Sequence, residues 1–171
     1  MSATGLDKAA SAVAKLSLVL AAFCLVAMLL LVNVEVLGRY VFGFSTFISD
    51  EYGAYLFVGC TFFGFAYSLH HGSFLRVNLV LQRLSPRYFS YPQLAASLLG
   101  LGLSLILAYE TALLTYGSYV FPSRTIQSGT LLFLPQLSMP LGLLATSMIF
   151  FHEALKSAGS LLAAASTSPS R

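Results

Sequence analysis

The amino-acid sequence predicts an all-α integral membrane protein with four transmembrane helices. Hydrophobic residues make up 57% of its 171 residues and charged residues only 9%, whereas soluble proteins hold about 45–50% apolar and about 25% charged residues. The apolar residues fall into four long runs. Nearly all of the nine Lys and Arg and the six Asp and Glu lie outside these runs, in the gaps between them or in the two terminal segments. A soluble fold does not bury this much apolar surface, so the bilayer is the expected solvent.

The four runs predict spans at about 16–37, 53–69, 94–120 and 130–151. They belong to a single membrane domain, 1–171, with flexible tails at 1–10 and 157–171. Each run is close to or above the roughly 20 residues that a helix needs to cross a hydrocarbon core. The first is uncharged from Leu16 to Val32, and Glu110 is the only charge in the third. Strands of a membrane barrel need only about 10 residues and alternate in polarity, so these runs are helices.

The first run also has features of a secretory signal peptide, because Lys8 and Lys15 precede it. Its apolar stretch, however, exceeds the usual roughly 7–15 residues and lacks a small-residue cleavage site at its end. We therefore interpret it as the first membrane helix.

The distribution of Lys and Arg predicts the orientation, because positive side chains are retained on the cytoplasmic side. Seven of the nine fall on one side of the membrane, which places both termini in the cytoplasm and the gaps 38–52 and 121–129 outside. The cytoplasmic set is Lys8, Lys15, Arg76, Arg83, Arg87, Lys156 and Arg171, and the outer set is Arg39 and Arg124.

The segment 74–84, between the second and third spans, has two interpretations. Its apolar residues share one helical face while Arg76 and Arg83 lie on others, which is typical of a short helix in the cytoplasmic interface. A continuation of the second helix, bent at Gly72, fits equally well. Both interpretations stay open.

Few polar side chains lie inside the spans. Asn33 and Glu35 lie near the outer end of the first span and are candidate polar anchors between helices. Glu110 lies about 24 Å along the third helix, toward the outer third of the membrane. An intramembrane carboxylate is a candidate proton relay or ion ligand. The alternative, which we favour, is a structural contact that holds helices together, with Arg39 or Arg124 as its partner.

Two other functional classes would need particular residues at particular places in the spans. A haem-bearing anchor of a respiratory enzyme needs two histidines that face each other across the bundle, and His70, His71 and His152 are the candidates at the cytoplasmic edge. A small four-helix proton-coupled antiporter needs a carboxylate near the middle of its first helix, which 16–32 lacks. Neither cysteine, Cys24 or Cys60, has the spacing of a metal motif, so no cofactor is predicted.

The outer gap 38–52 is short and aromatic, and it ends in two carboxylates at the start of the second helix, Asp50 and Glu51. The helix dipole favours negative charge at this position, so capping explains the pair without any further function. Exposed charges and aromatic side chains at a membrane surface are also what the docking of a soluble partner uses.

Several short elements follow one another in a characteristic order along the chain. They are Asn33, Arg39-Tyr40-Val41-Phe42, Asp50-Glu51-Tyr52, Gly59, Gly64, His71-Gly72 before Val77, Thr130 to Pro135, and Met139-Pro140-Leu141-Gly142. This ordered set resembles the small membrane subunit, DctQ type, of tripartite ATP-independent periplasmic (TRAP) transporters, and the resemblance covers roughly 33–144. The sequence departs from the family pattern at three points: Gly43 stands where an Asn is usual, the chain has no Trp, and 74–78 lacks the expected His-x-x-Val-Asp pattern.

The resemblance implies a non-enzymatic inner-membrane subunit of a three-part importer. In such a system a periplasmic solute-binding protein captures an organic acid, and a large membrane subunit moves it with a sodium gradient. The small subunit braces the large one and carries no transport site of its own. The expected partners are these two proteins and the lipid bilayer, with no nucleic acid. The expected periplasmic contacts are Arg39, Asp50, Glu51 and Arg124, and the polar helix anchors are Asn33, Glu35 and Glu110.

Overall fold

The computed structural model describes residues 5–43, 48–71, 90–125 and 128–166. These residues form helices α1 (Gly5–Phe42), α2 (Ile48–His70), α3 (Ser90–Val120), the short α4 (Phe133–Gln136) and α5 (Ser138–Ser166). Four stretches, one in each of α1, α2 and α3 and one running from α4 into α5, are long and apolar enough to cross a membrane. The predicted all-α membrane fold is confirmed.

The helices extend beyond the predicted spans at both ends of the chain. α1 begins at Gly5 and not near residue 16, and α5 continues to Ser166, so parts of the predicted tails 1–10 and 157–171 are helical. Lys8 and Lys15 interrupt a hydropathy pattern but not a helix, because lysine is a good helix former. The segment 74–84 and its two interpretations lie outside the described residues.

The fourth span begins with a break between Pro135 and Pro140. α4 ends at Gln136, and α5 starts at Ser138 with Pro140 in its first turn. Two carbonyls at the break find side-chain partners, since the Ser138 hydroxyl donates to the Pro135 carbonyl at 2.8 Å and the Thr115 hydroxyl of α3 donates to the Gln136 carbonyl at 3.5 Å. Inside a bilayer such partners are required, because lipid offers none.

The long helices pack in the order α1, α2, α5, α3. α2 and α5 occupy the centre, α1 packs on α2 and touches α5, and α3 packs on α5. Among the described residues, α3 makes no contact with α1 or α2. α1 and α3 are therefore the two edge helices of the bundle.

The buried face of α1 consists of small side chains. Ala10, Ala14, Ser17 and Ala21 follow one another at steps of four, three and four residues, which places them on one stripe of the helix. Small residues of this kind let membrane helices approach closely and gain dispersion contacts. Ala14 is fully buried and reaches a central cluster formed with Ala66, Leu69 and Ile149, so this stripe fixes α1 against α2 and α5.

Two glycines make similar close contacts around α5. A Cβ atom on Gly142 would lie 2.6 Å from the Cβ of Phe62 and 2.9 Å from its carbonyl carbon, so α5 rests directly on the α2 backbone there. On the other side of α5, the ring of Phe150 occupies the space that a Cβ on Gly100 of α3 would need. α5 is therefore in close contact with α2 at Gly142 and with α3 at Gly100.

The two ends of the bundle differ. The histidine end holds the start of α1, His70 and His71 of α2, and His152 of α5, while the hairpin end holds a short β-hairpin between α3 and α4. α1 and α2 run antiparallel, and Gly59 of α2 lies against Cys24 of α1. Ile48 precedes Gly59 by 11 residues, so it lies level with the residue about 11 positions after Cys24, which is residue 35. Residues 36–42 therefore extend about 10 Å past the start of α2 at the hairpin end, before Gly43 ends the helix with a φ of 69°.

Candidate functional site

The β-hairpin between α3 and α4 is held by backbone hydrogen bonds. Arg124 and Leu131 form an antiparallel bridge. The Leu132 amide donates to the Ser123 carbonyl at 3.0 Å, and the Thr125 amide donates to the Thr130 carbonyl at 3.1 Å. The turn returns through Gly129, whose φ of 66° lies in the left-handed region that favours glycine. These bonds fix the hairpin as a defined feature at one end of the bundle.

The carboxylate of Glu51 ties this hairpin to the first turn of α2. One carboxylate oxygen accepts the Ser128 backbone N–H at 3.1 Å, and the other accepts the Ser128 hydroxyl at 2.8 Å and the Tyr55 hydroxyl at 3.2 Å. Hydrogen bonds to a charged acceptor are about twice as strong as neutral ones. The Glu51 carboxylate therefore links α2 to a loop 77 positions later in the chain.

Hydroxyl groups extend this contact into a polar cluster. Ser128 lies 2.9 Å from Thr125 and 2.7 Å from Thr130, in each case between hydroxyl oxygens, and the Thr130 hydroxyl lies 2.6 Å from that of Tyr52. We call the set Glu51, Tyr52, Tyr55, Thr125, Ser128 and Thr130 the hairpin cluster. It holds the start of α2 and the loop before α4 as one unit.

The predicted periplasmic contacts share this end of the bundle but differ in their surroundings. Glu51 belongs to the hairpin cluster, whereas Asp50 and Arg124 are exposed. The side chain of Arg39 is 52% exposed on the projecting end of α1, and its guanidinium lies 3.6 Å from the Glu35 carboxylate on the same helix. Glu51 is therefore bonded to the hairpin, whereas Arg39, Asp50 and Arg124 lie at the surface. Their contact with a partner stays a prediction.

Of the predicted polar anchors, Asn33 and Glu110 do not bond to neighbouring helices among the described residues. The Asn33 amide donates to the Leu29 carbonyl of its own helix at 2.7 Å, and Glu35 pairs with Arg39. Glu110 is exposed on α3, and its carboxyl group makes no hydrogen bond or ion pair with a described residue. The contact between Glu110 and Arg39 or Arg124 that the sequence suggested is therefore not present. The role of these three residues as polar anchors between helices stays a prediction.

Glu51 is the one member of the hairpin cluster that was predicted as a site residue, and the sequence reasoning missed the other five as such: Tyr52, Tyr55, Thr125, Ser128 and Thr130. Their hydroxyl-rich stretch 125–130 was a usable signal, because the predicted topology puts the gaps 38–52 and 121–129 on the same side of the membrane. A carboxylate at one gap and a run of hydroxyl donors at the other are complementary.

The histidine end has its own polar contacts. The Nε2 atom of His152 lies 2.6 Å from a carboxylate oxygen of Asp7, which joins the start of α1 to α5. The ring of His70 on α2 lies 6.2 Å from that of His152, centroid to centroid. Because the Nε2 atom of His152 is engaged by Asp7, this histidine already has a role in helix packing.

Replacement of Asp7 by Asn is expected to loosen the first turns of α1. The change leaves a hydrogen bond to His152 possible but removes the carboxylate, and since the Asp7 side chain is 45% exposed, we expect a loss of only about 1 kcal/mol. Amide hydrogen exchange in residues 5–14 should accelerate about fivefold, while exchange in the hairpin cluster stays unchanged. Unaltered exchange in 5–14 would show that the contact does not hold the helix.

These observations define the class: a four-helix integral membrane protein whose polar contacts lie mainly at the helix ends. Residues 28–159 match the family model described as tripartite ATP-independent periplasmic transporters, DctQ component. The match covers well over half of the 171 residues, so the chain belongs to the DctQ family, the small permease component of TRAP transporters. Members of this family are components of the inner membrane. No curated protein matched the chain.

The family match confirms the resemblance seen in the sequence, whose elements between 33 and 144 all lie inside the matched range. TRAP systems as a family combine this subunit with a large membrane subunit and a solute-binding protein. The family assignment thus gives the class of assembly to which the chain belongs.

Proposed function

We propose that this chain is the non-catalytic small subunit of a TRAP-type importer that braces the large membrane subunit and helps the solute-binding protein dock. It serves sodium-driven uptake of an organic acid, with the transport site and the sodium sites in the large subunit. The observation that supports this most directly is the bond between Glu51 and the hairpin, because it makes the hairpin end a fixed surface with exposed charges.

Docking at the hairpin end is supported by what that end presents. Asp50, Arg39 and Arg124 are exposed there, and Tyr40 at the projecting end of α1 is 85% exposed. Charges of both signs beside aromatic side chains suit a polar interface, where they steer the approach of a partner and fix its orientation. The predicted orientation puts this end in the periplasm, on the side of the soluble binding protein.

Bracing is supported by the scarcity of polar groups inside the spans. A transport pathway needs several polar groups or broken helices near the midplane, and the predicted spans of this chain contain only one charged residue outside the helix ends, Glu110. Its long apolar edge helices are instead suited to packing against another membrane protein. The chain is therefore proposed as a support for the moving subunit.

Charge reversal at Asp50 is expected to reduce uptake about 3–10-fold at low salt without loss of the assembled complex, because exposed interface charges act mainly on association rate. The Asp50→Lys variant is the informative one, since the Asp50 side chain makes no bond with a described residue and the fold should tolerate it. The measurement is solute uptake by the reconstituted three-part system, with copurification of the membrane subunits as the check on assembly.

The matched control is Lys156→Glu, a reversal of an exposed charge near the histidine end. We expect normal uptake with Lys156→Glu and a defect with Asp50→Lys that shrinks as salt screens the charges. Wild-type uptake by Asp50→Lys, or equal defects in both variants, would remove the docking role of the hairpin end.

A further inference from the structure

The outward face of α3 carries a carboxylate among large apolar side chains. Successive residues of a helix turn by about 100°, and Glu110 points away from the buried residues Ser97, Ser104, Ala108 and Thr115. Leu103 and Ile106, on the same side, are 62% and 61% exposed. We call the set Leu99, Leu103, Ile106, Glu110, Leu113 and Leu114 the Glu110 face.

Glu110 lies at membrane depth. The apolar stretch of α3 runs from Pro92 to Val120, so Glu110 stands about 15 Å before its end at 1.5 Å per residue. The stretch is about 43 Å long and a hydrocarbon core about 30 Å thick, so with equal overhang at both ends the Glu110 carboxyl group lies about 8–9 Å inside the core, in its outer third.

A carboxyl group at this depth needs a partner that the described residues of this chain do not supply. Charged side chains in hydrocarbon are expensive and almost always face protein or water, and a neutral acid still has hydrogen-bonding atoms that lipid cannot satisfy. Among the described residues nothing bonds to the Glu110 side chain. The face that carries it is therefore unsuited to lipid.

The exposed face of α1, the other edge helix, carries no charge at membrane depth. α1 has an equally exposed stripe that includes Leu16, Val19, Phe23, Val26 and Leu30, and no charge occurs between Leu16 and Val34. This stripe can face lipid without leaving any charge unpaired. Of the two edges of the bundle, only α3 presents a group that calls for a protein partner.

We propose that the Glu110 face of α3 is the surface that packs against the large membrane subunit, where a transmembrane helix of that subunit brings a Lys, Arg or amide side chain to Glu110. This inference rests on the proposed function and adds which helix binds and which chemistry the partner must offer. α1 then forms the lipid-facing edge of the small subunit.

The first test locates the interface by photocrosslinking in membranes that contain both subunits. Benzoylphenylalanine replaces Leu103 or Leu113 on the Glu110 face, and Val26 or Leu30 on α1 as matched controls with similar exposure. We expect adducts with the large subunit from the α3 positions at least about fivefold above those from α1. Adducts mainly from α1, adducts between two copies of this chain, or no protein adduct from α3 would each overturn the proposal.

The second test removes the carboxylate. Glu110→Leu is expected to weaken copurification with the large subunit about tenfold, which corresponds to about 1.4 kcal/mol, and Glu110→Gln to weaken it less because the amide keeps an acceptor. The isolated Glu110→Leu chain should be at least as heat-stable as wild type. Unchanged copurification, or a loss of stability in the isolated chain, would contradict a contact with the partner.

The two proposals fail in different ways. If the wild-type chain does not copurify with any large membrane subunit, the proposed function itself is wrong. If the wild type copurifies but neither the crosslinks nor Glu110→Leu point to α3, only the assignment of the surface is wrong.

Discussion

Gly142→Ala is expected to lower the free energy of unfolding by about 1–3 kcal/mol, the usual cost of an extra group in a packed core. The new methyl group would lie 2.6 Å from the Cβ of Phe62 and 2.9 Å from its carbonyl carbon. Because the second of these is a backbone atom, a side-chain rotation cannot relieve the clash, and α2 and α5 must move apart. Titration with SDS in mixed micelles would measure the loss.

The matched control is Gly102→Ala on α3, where a Cβ meets nothing within 4 Å. An alanine there removes backbone freedom from the unfolded chain and clashes with nothing, so we expect a stability equal to or about 0.5–1 kcal/mol above wild type. If both variants unfold at the same SDS fraction, the close approach of α2 and α5 at Gly142 does not hold in solution.

Ala14→Leu should have an effect of similar size, about 1–3 kcal/mol, and should act on the other side of the bundle. Ala14 is fully buried where α1 meets the cluster of Ala66, Leu69 and Ile149. A leucine would push α1 away from α2 and α5 and open the stripe of small residues beside it. We expect the SDS midpoint to fall and amide exchange along the first half of α1 to accelerate.

Ala22→Leu is the control for this substitution, because Ala22 lies on the exposed side of the same helix. It adds the same atoms where the surroundings are lipid or detergent, so the SDS midpoint should stay at the wild-type value. A midpoint that falls equally in Ala22→Leu would mean that bulk anywhere on α1, and not the buried stripe, causes the loss.

The sequence was sufficient for the fold class and the number of spans, but not for the helix ends. Charges such as Lys8 and Lys15 end a hydropathy run, whereas the helix continues past them to Gly5 because its backbone hydrogen bonds are independent of side-chain polarity. The stripe from Ala10 to Ala21 could have been found from its spacing. Its importance was hidden because alanine adds little to a hydropathy profile.

The candidate site was only partly predictable. The position of Glu51 at the start of α2 follows from the charge pattern, and helix capping is a local explanation that needs no other part of the chain. Its bond to Ser128 joins residues 77 positions apart, and no local pattern encodes such a register. The suggested contact of Glu110 with Arg39 or Arg124 was wrong for a related reason, because the face on which a residue lies depends on packing that hydropathy alone does not report.

The order of the helices also determines how changes in the chain combine. α1 and α3 do not touch within the described residues, because α2 and α5 lie between them. Substitutions at distant sites without shared neighbours usually have additive effects on stability. Substitutions on α1 can therefore accumulate in evolution independently of substitutions on α3. One helix can change together with a binding partner while the other adapts to a different membrane.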